Sequence, residues 1–231
     1  MNITYIHHSA FFVELPSACL LFDWSEGDLP PIPADKPLYV LASHSHYDHY
    51  EETVFDLAQT NPHITFLLSF DVLRSDVPSH LKDRTHFLDP HESWSDGILS
   101  LETFRSTDEG VAFWCRVDGK ELYHAGDLNH WYWEGEDEQW NRDMTERYRA
   151  EMRLLTGRRA DAAFLPVDPR LGDWFWLGVG DFLKEADAAC IFPMHFWEDH
   201  SVCEKLREHP CAASHRDRIQ TITRKGQTFT L

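Results

Sequence analysis

No apolar run reaches the ~18 residues that a membrane-crossing helix requires. The start of the chain also lacks a basic stretch followed by an apolar one, so no secretory leader is expected. Positive charge is scarce: 21 Lys and Arg stand against 39 Asp and Glu, a formal net charge of −18. That imbalance argues against a nucleic-acid phosphate track as the main partner. Cysteine is sparse too. The five cysteines are odd in number and show no Cys-x-x-Cys spacing, and Cys19, Cys115 and Cys190 sit in apolar runs. They read as reduced core residues of a cytoplasmic protein. The expectation is one domain over residues 1–231, acting on a small molecule rather than on nucleic acid or a membrane.

Histidine, in contrast, is plentiful, with 15 residues. Three of them fall in the stretch Ser43-His44-Ser45-His46-Tyr47-Asp48-His49. It follows a short, continuous apolar run, Leu38 to Ala42, which reads as a buried strand. After it, Glu51 to Ala58 carries Val54, Leu57 and Ala58 at helical spacing. The cluster therefore occupies a loop at a strand's C-terminal end, where α/β folds place ligands. Residues two apart on an extended segment face the same way, so His44 and His46 can reach one metal ion together. The turn into the next element re-aims Asp48 and His49 towards a second point. Two ions roughly 3.5–4 Å apart are the usual pair in hydrolytic sites. Imidazole and carboxylate donors suit Zn²⁺, with Mn²⁺ or Fe as alternatives.

Strands are expected near 2–6, 11–15, 18–22, 63–68 and 85–88. Further strands follow at 98–104, 111–117, 121–125, 161–168 and 189–197, with a closing pair at 219–222 and 227–230. Asp118-Gly119 is a two-residue hairpin signal. Trp140, Met144, Tyr148, Met152 and Leu155 step by three and four, which predicts an amphipathic helix within 136–159. Its stripe reads as a core contact, and it could instead pack on a second copy to make a homo-oligomer. His130-Trp131-Tyr132-Trp133 places aromatic rings in four consecutive positions and reads as part of a pocket wall.

The pattern His44-x-His46-x-Asp48-His49 resembles the signature of the metallo-β-lactamase-fold hydrolases, particularly their lactonase-like, predicted zinc-dependent hydrolase branch. The resemblance covers most of the chain. It implies an α/β fold, a four-layer αβ/βα sandwich with a two-metal site on one edge. By it, His8 and Asp23 orient ligands from beneath the metal loop, and Asp127, after Gly126, bridges the two ions. His195 joins Asp48 and His49 on the second ion. Asp168, Arg170 and the Trp174-Phe175-Trp176 group fall near the mouth of the site. One place departs from the family. Where most relatives carry a histidine that completes the first ion's ligands, this chain has Ser106, a poor zinc ligand. Asp108 or Glu109 could substitute a carboxylate. Asp108 is favoured, because it shares a face with Ser106 on an extended segment.

The expected chemistry is hydrolysis by metal-activated hydroxide, with two Zn²⁺ per chain and Asp48 or Asp127 orienting the nucleophile and carrying its proton. Trp131, Trp133 and Arg170 are the expected substrate contacts. The substrate class implied is a small ester, lactone or phosphate ester. A phosphodiesterase or nuclease, or a non-catalytic metal-binding member, are the alternatives, since one fold hosts many activities.

Overall fold

Leu38–Ala42 (β4) is buried at every residue because parallel strands flank both its edges and a hydrophobic cluster covers each face. The flanking strands are Cys19–Phe22 (β3) and Ile64–Ser69 (β5). A strand covered on both faces is continuously apolar, as its sequence is. The structure, a computed structural model, describes residues 1–231. Asn2–His7 (β1), Ala10–Glu14 (β2), Thr85–Leu88 (β6) and Thr228–Thr230 (β13) complete a seven-stranded sheet, ordered β13-β1-β2-β3-β4-β5-β6.

A second, six-stranded sheet runs β12-β11-β10-β9-β8-β7. Its strands are Ser93–Ser95 (β7), Ser100–Arg105 (β8), Val111–Val117 (β9), Lys120–His124 (β10), Arg159–Pro166 (β11) and Asp187–Met194 (β12). β9 and β10 are joined through Asp118 and Gly119, both with positive φ, as a tight hairpin turn demands. The pair β10–β11 is parallel, as is β11–β12.

Alternation along the strands sorts side chains between two cores. Tyr5, Phe11, Val13, Leu20, Phe22, Tyr39 and Leu41 enter the main core with the second sheet. Phe12, Cys19, Leu21, Leu38, Val40 and Phe66 face the other way, under Val54, Phe55 and Leu81. Helices Glu138–Leu154 (α1), Leu177–Glu185 (α2) and Ser201–Glu208 (α3) add Tyr148, Met152, Phe182 and Leu206 to the main core. The result is the expected α/β sandwich of two sheets with helical outer layers.

Two local expectations change. The helix expected over 51–58 is a 3-10 helix, Glu52–Gln59, with no side-chain cap at its start. The same geometry recurs at Ser79–Arg84, so 3-10 turns form the layer outside the first sheet. The strand expected over 219–222 shrinks to one bridge between Ile219 and Ile191. Instead of a ladder, Arg218 is tied by its side chain to Asp187.

α1 starts where Asp137 accepts hydrogen bonds from the backbone N–H groups of Gln139 and Trp140. It is held to α2 through Asp181, a buried carboxylate bonded to His130, Arg149 and Lys184. Burial alone would raise the pKa of Asp181. The bonds from His130, Lys184 and Arg149 outweigh it and hold the carboxyl well below its usual range. Asp181→Asn should therefore cost about 2–3 kcal/mol at neutral pH, since two exposed cations and one buried imidazole lose a charged acceptor. A depressed folded-state pKa stabilises fully above the unfolded carboxylate's value near ~3.9, and that gain is lost as pH falls towards the folded value. Urea denaturation of both proteins should show the gap closing below about pH 4. A gap independent of pH would contradict this role.

Candidate metal centre

The two sheets deliver their strand ends to one edge. β4 runs into Ser43 and the histidine loop, and β10 runs through Ala125 and Gly126 to Asp127. β11 ends before Asp168, β12 ends at Met194 before His195, β3 ends before Asp23, and His8 occupies the β1–β2 turn. Four of the six non-glycine residues with positive φ lie here: His8, Asp23, His195 and Trp197. Such conformations are costly and persist where the surrounding structure enforces them.

The side chains gather into two groups. His44, His46 and Asp127 form one, and His8, Asp48, His49 and His195 form the other, with candidate ligand atoms in each group within 4.8 Å of one another. Asp127 spans them. Its Oδ1 lies 3.3 Å from both His49 Nε2 and His195 Nε2, and its Oδ2 lies 3.7 Å from His44 Nε2. Several of these atoms are buried and have no hydrogen-bond partner: both ring nitrogens of His8, Nε2 of His44 and His49, and Oδ1 of Asp127. Buried polar atoms are normally satisfied, and orphans converging on one place match the needs of a cation. The residues present therefore fit a metal centre.

Carboxylates behind the ligands fix their orientation. Asp23, fully buried, accepts from Ser43 N–H at 2.7 Å, bonds the Ser43 hydroxyl at 2.7 Å and contacts His49 Nδ1 at 2.8 Å. Asp168, also fully buried, contacts His195 Nδ1 at 3.0 Å. A carboxylate behind each imidazole sets which nitrogen faces the metal. His124 bonds the Ser9 carbonyl through Nε2 and accepts from Gly126 N–H, steadying the turn that carries Asp127.

The charges divide along these contacts. Burial pushes His44 and His8 down to about 4, which keeps them neutral and ready to bind a cation. Burial also opposes a charge on His195, but Asp127 and Asp168 raise it to about 10. Burial acts on Asp127 in the opposite sense, and His195, His49 and His44 together hold it well below the carboxylate range.

Of the residues singled out in the sequence, His44, His46, Asp48, His49, Asp127 and His195 come together. Asp108 lines the same cavity but is exposed and stands outside both groups. Desolvation by the cavity walls and the neighbouring Asp127 raise its pKa. Ser106 accepts from Asp108 N–H and, like Asp108, stands outside both groups. His8, expected to orient ligands, is itself in the second group. That position follows from the β1–β2 turn meeting β12, where His195 N–H donates to the His8 carbonyl at 3.2 Å.

The centre opens into a cavity of about 640 Å³. Trp131 and Trp133 line it, with rings nearly parallel and 6.3 Å apart. The other two rings of that run point elsewhere: His130 bonds Asp181 and Thr145, and Tyr132 packs on Trp174. Arg170 lines the cavity with its Nε and Nη2 bound to Asp168. Trp140, Met144 and Arg147 of α1 also line it. The sequence reading placed the α1 stripe against the core. That holds for Tyr148, Met152 and Leu155, while the first turns face the cavity.

Residues 2–142, more than half of the chain, match the family model of the Beta-lactamase superfamily domain. The chain belongs to the beta-lactamase superfamily. Over 220 residues it is 30% identical to a UPF0173 metal-dependent hydrolase of Carboxydothermus hydrogenoformans, covering 85% of this chain and 84% of that one. Over 218 residues it is 27% identical to a UPF0173 metal-dependent hydrolase of Heliobacterium modesticaldum, covering 85% and 82%. Igni18, a metallo hydrolase from the hyperthermophilic archaeon Ignicoccus hospitalis, shares the fold. Its TM-score is 0.64 at 16% identity, over 100% of this chain and 98% of that one. Like these superfamily relatives, the protein is a metal-dependent hydrolase. No helix is long and apolar enough to cross a membrane.

Proposed function

We propose that the protein hydrolyses a small-molecule ester, lactone or phosphate ester with two metal ions held on either side of Asp127. The observation that carries this reading is the set of orphaned buried ligand atoms around Asp127 at the base of a cavity of about 640 Å³. A cavity of that size suits a small molecule. His44 and His46 would hold one ion, and His8, Asp48, His49 and His195 the other, with one Asp127 oxygen towards each group. Nitrogen and carboxylate donors favour Zn²⁺, with Mn²⁺ or Fe as substitutes. Bound there, the ions would supply an acidified water, its pKa brought from about 15.7 towards 7, and a Lewis acid for the developing oxyanion.

The chain's own residues do the rest. Asp48 lines the cavity, so it can hold the attacking water and take its proton. Asp127 keeps the two ligand groups in register. Asp23 and Asp168 prevent His49 and His195 from turning. Asp108, beside the first group, is the carboxylate available to complete it or to hold a water there. Trp131 and Trp133 exclude solvent from one side of the substrate.

The test is elemental analysis combined with turnover of p-nitrophenyl butyrate, a γ-lactone and bis-p-nitrophenyl phosphate. About two ions per chain, with hydrolysis of at least one probe lost on chelation and restored by metal, is the expected result. A single ion per chain at full activity would overturn the two-ion reading.

A further inference from the structure

Resting on the small-molecule hydrolase reading, we propose that Arg147 is the anchor for an anionic group on the substrate, whose flat or apolar body lies along Trp131, Trp133, Trp140 and Met144. The favoured substrate is then an ester or lactone carrying a separate carboxylate or comparable anion.

Two arginines line the cavity, and they differ in what they have left to offer. Arg170 is bound through Nε and Nη2 to Asp168, the same carboxylate that holds His195. Spending that fork on a substrate would break its ion pair with the carboxylate that orients His195. Arg147 forms no ion pair at all, whereas Arg142 and Arg149 on the same helix are paired with Glu138 and Asp181. Among the arginines that form no ion pair, Arg147 is the one that borders this cavity. A free guanidinium offers a planar pair of donors that fits a carboxylate or phosphate.

The helix sets the spacing. Trp140, Met144 and Arg147 lie at i, i+4 and i+7, on one face, and the face is ~10 Å long. Met144 packs with Trp131 and against Trp133, so apolar surface fills the space between the metal centre and the arginine. A ligand reaching from Asp127 to Arg147 would cross this surface, which rewards a flat or apolar body.

The test compares mono-p-nitrophenyl glutarate with p-nitrophenyl valerate, matched in length but differing in charge, on the metal-loaded protein. The ratio of their kcat/KM values should fall about tenfold in Arg147→Gln, through KM, as expected for one charged hydrogen-bonded contact at a partly exposed site. Arg147→Lys should retain part of the preference. An unchanged ratio would overturn the proposal. If neither ester is turned over, the ester arm of the hydrolase reading fails on its own, and calorimetric titration with phenylsuccinate still reads the anchor. About tenfold weaker binding in Arg147→Gln supports it, and equal binding in both proteins overturns it.

Discussion

Asp127→Ala is expected to leave a folded protein that holds less than one metal ion per chain and has lost hydrolysis. Asp127 is the only residue whose oxygens face both ligand groups, with Oδ1 at 3.3 Å from His49 and His195 and Oδ2 at 3.7 Å from His44. Removing a group that merely orients a ligand weakens metal binding by about 10–100-fold, so removing one that spans two ions should exceed that range. Turnover should fall by about 10³-fold or more, since the water then loses its acidifying ions. The fold should survive, because the Asp127 backbone carbonyl still accepts from Trp131 Nε1 at 3.0 Å. Asp127→Asn is the sharper variant. It keeps the shape and loses the charge, so it should also bind less metal. Elemental analysis, far-UV circular dichroism and turnover together check this. Two retained ions with full activity would remove Asp127 from the centre.

The ligand loop was legible because a strand end and a dense run of histidines coincide in sequence from Leu38 to His49. Asp127 and His195 were legible through resemblance, each at a strand end. What escaped depends on contacts between distant segments. The entry of His8 into the second group requires the β1–β2 turn to meet the end of β12. Asp168 looked like a mouth residue, and its hold on His195 exists only once β11 and β12 pair in parallel. The stripe of α1 carries one period but serves two surfaces, with Tyr148 and Met152 in the core and Trp140, Met144 and Arg147 on the cavity. A hydrophobic stripe reports that a face is covered, not by what. The short strand β7, Ser93–Ser95, went unread for a related reason: three residues with only Trp94 part-buried carry no readable alternation.

Gly110→Ala should be among the most damaging single-methyl changes in the protein, although Gly110 is neither a ligand nor part of the cavity wall. Its φ is +71°, and a Cβ there would lie 2.0 Å from the Ser43 carbonyl oxygen and 2.6 Å from the His44 Cβ. Neither neighbour can yield cheaply. Ser43 N–H is held by Asp23 at 2.7 Å, and the Ser43 carbonyl accepts from Val111 N–H at 2.8 Å, the residue after the glycine. The left-handed conformation alone costs a non-glycine residue ~1–2 kcal/mol. The backbone collision adds to it, for a total of about 3 kcal/mol or more, in the range of severe core substitutions. Gly157→Ala supplies the control. Its φ is +77° and nothing lies within 4 Å of its Cβ, so it should show the conformational cost alone. The difference between the two variants in denaturant titrations measures the contact between Gly110 and the ligand loop. Because that contact bears on His44, Gly110→Ala should also lower metal content while Gly157→Ala leaves it intact. Equal stability losses would mean the loop can move aside. Unequal losses with full metal content would mean that His44 keeps its position when its backbone is displaced, and the packing of Gly110 on the ligand loop would not be what positions the ligands.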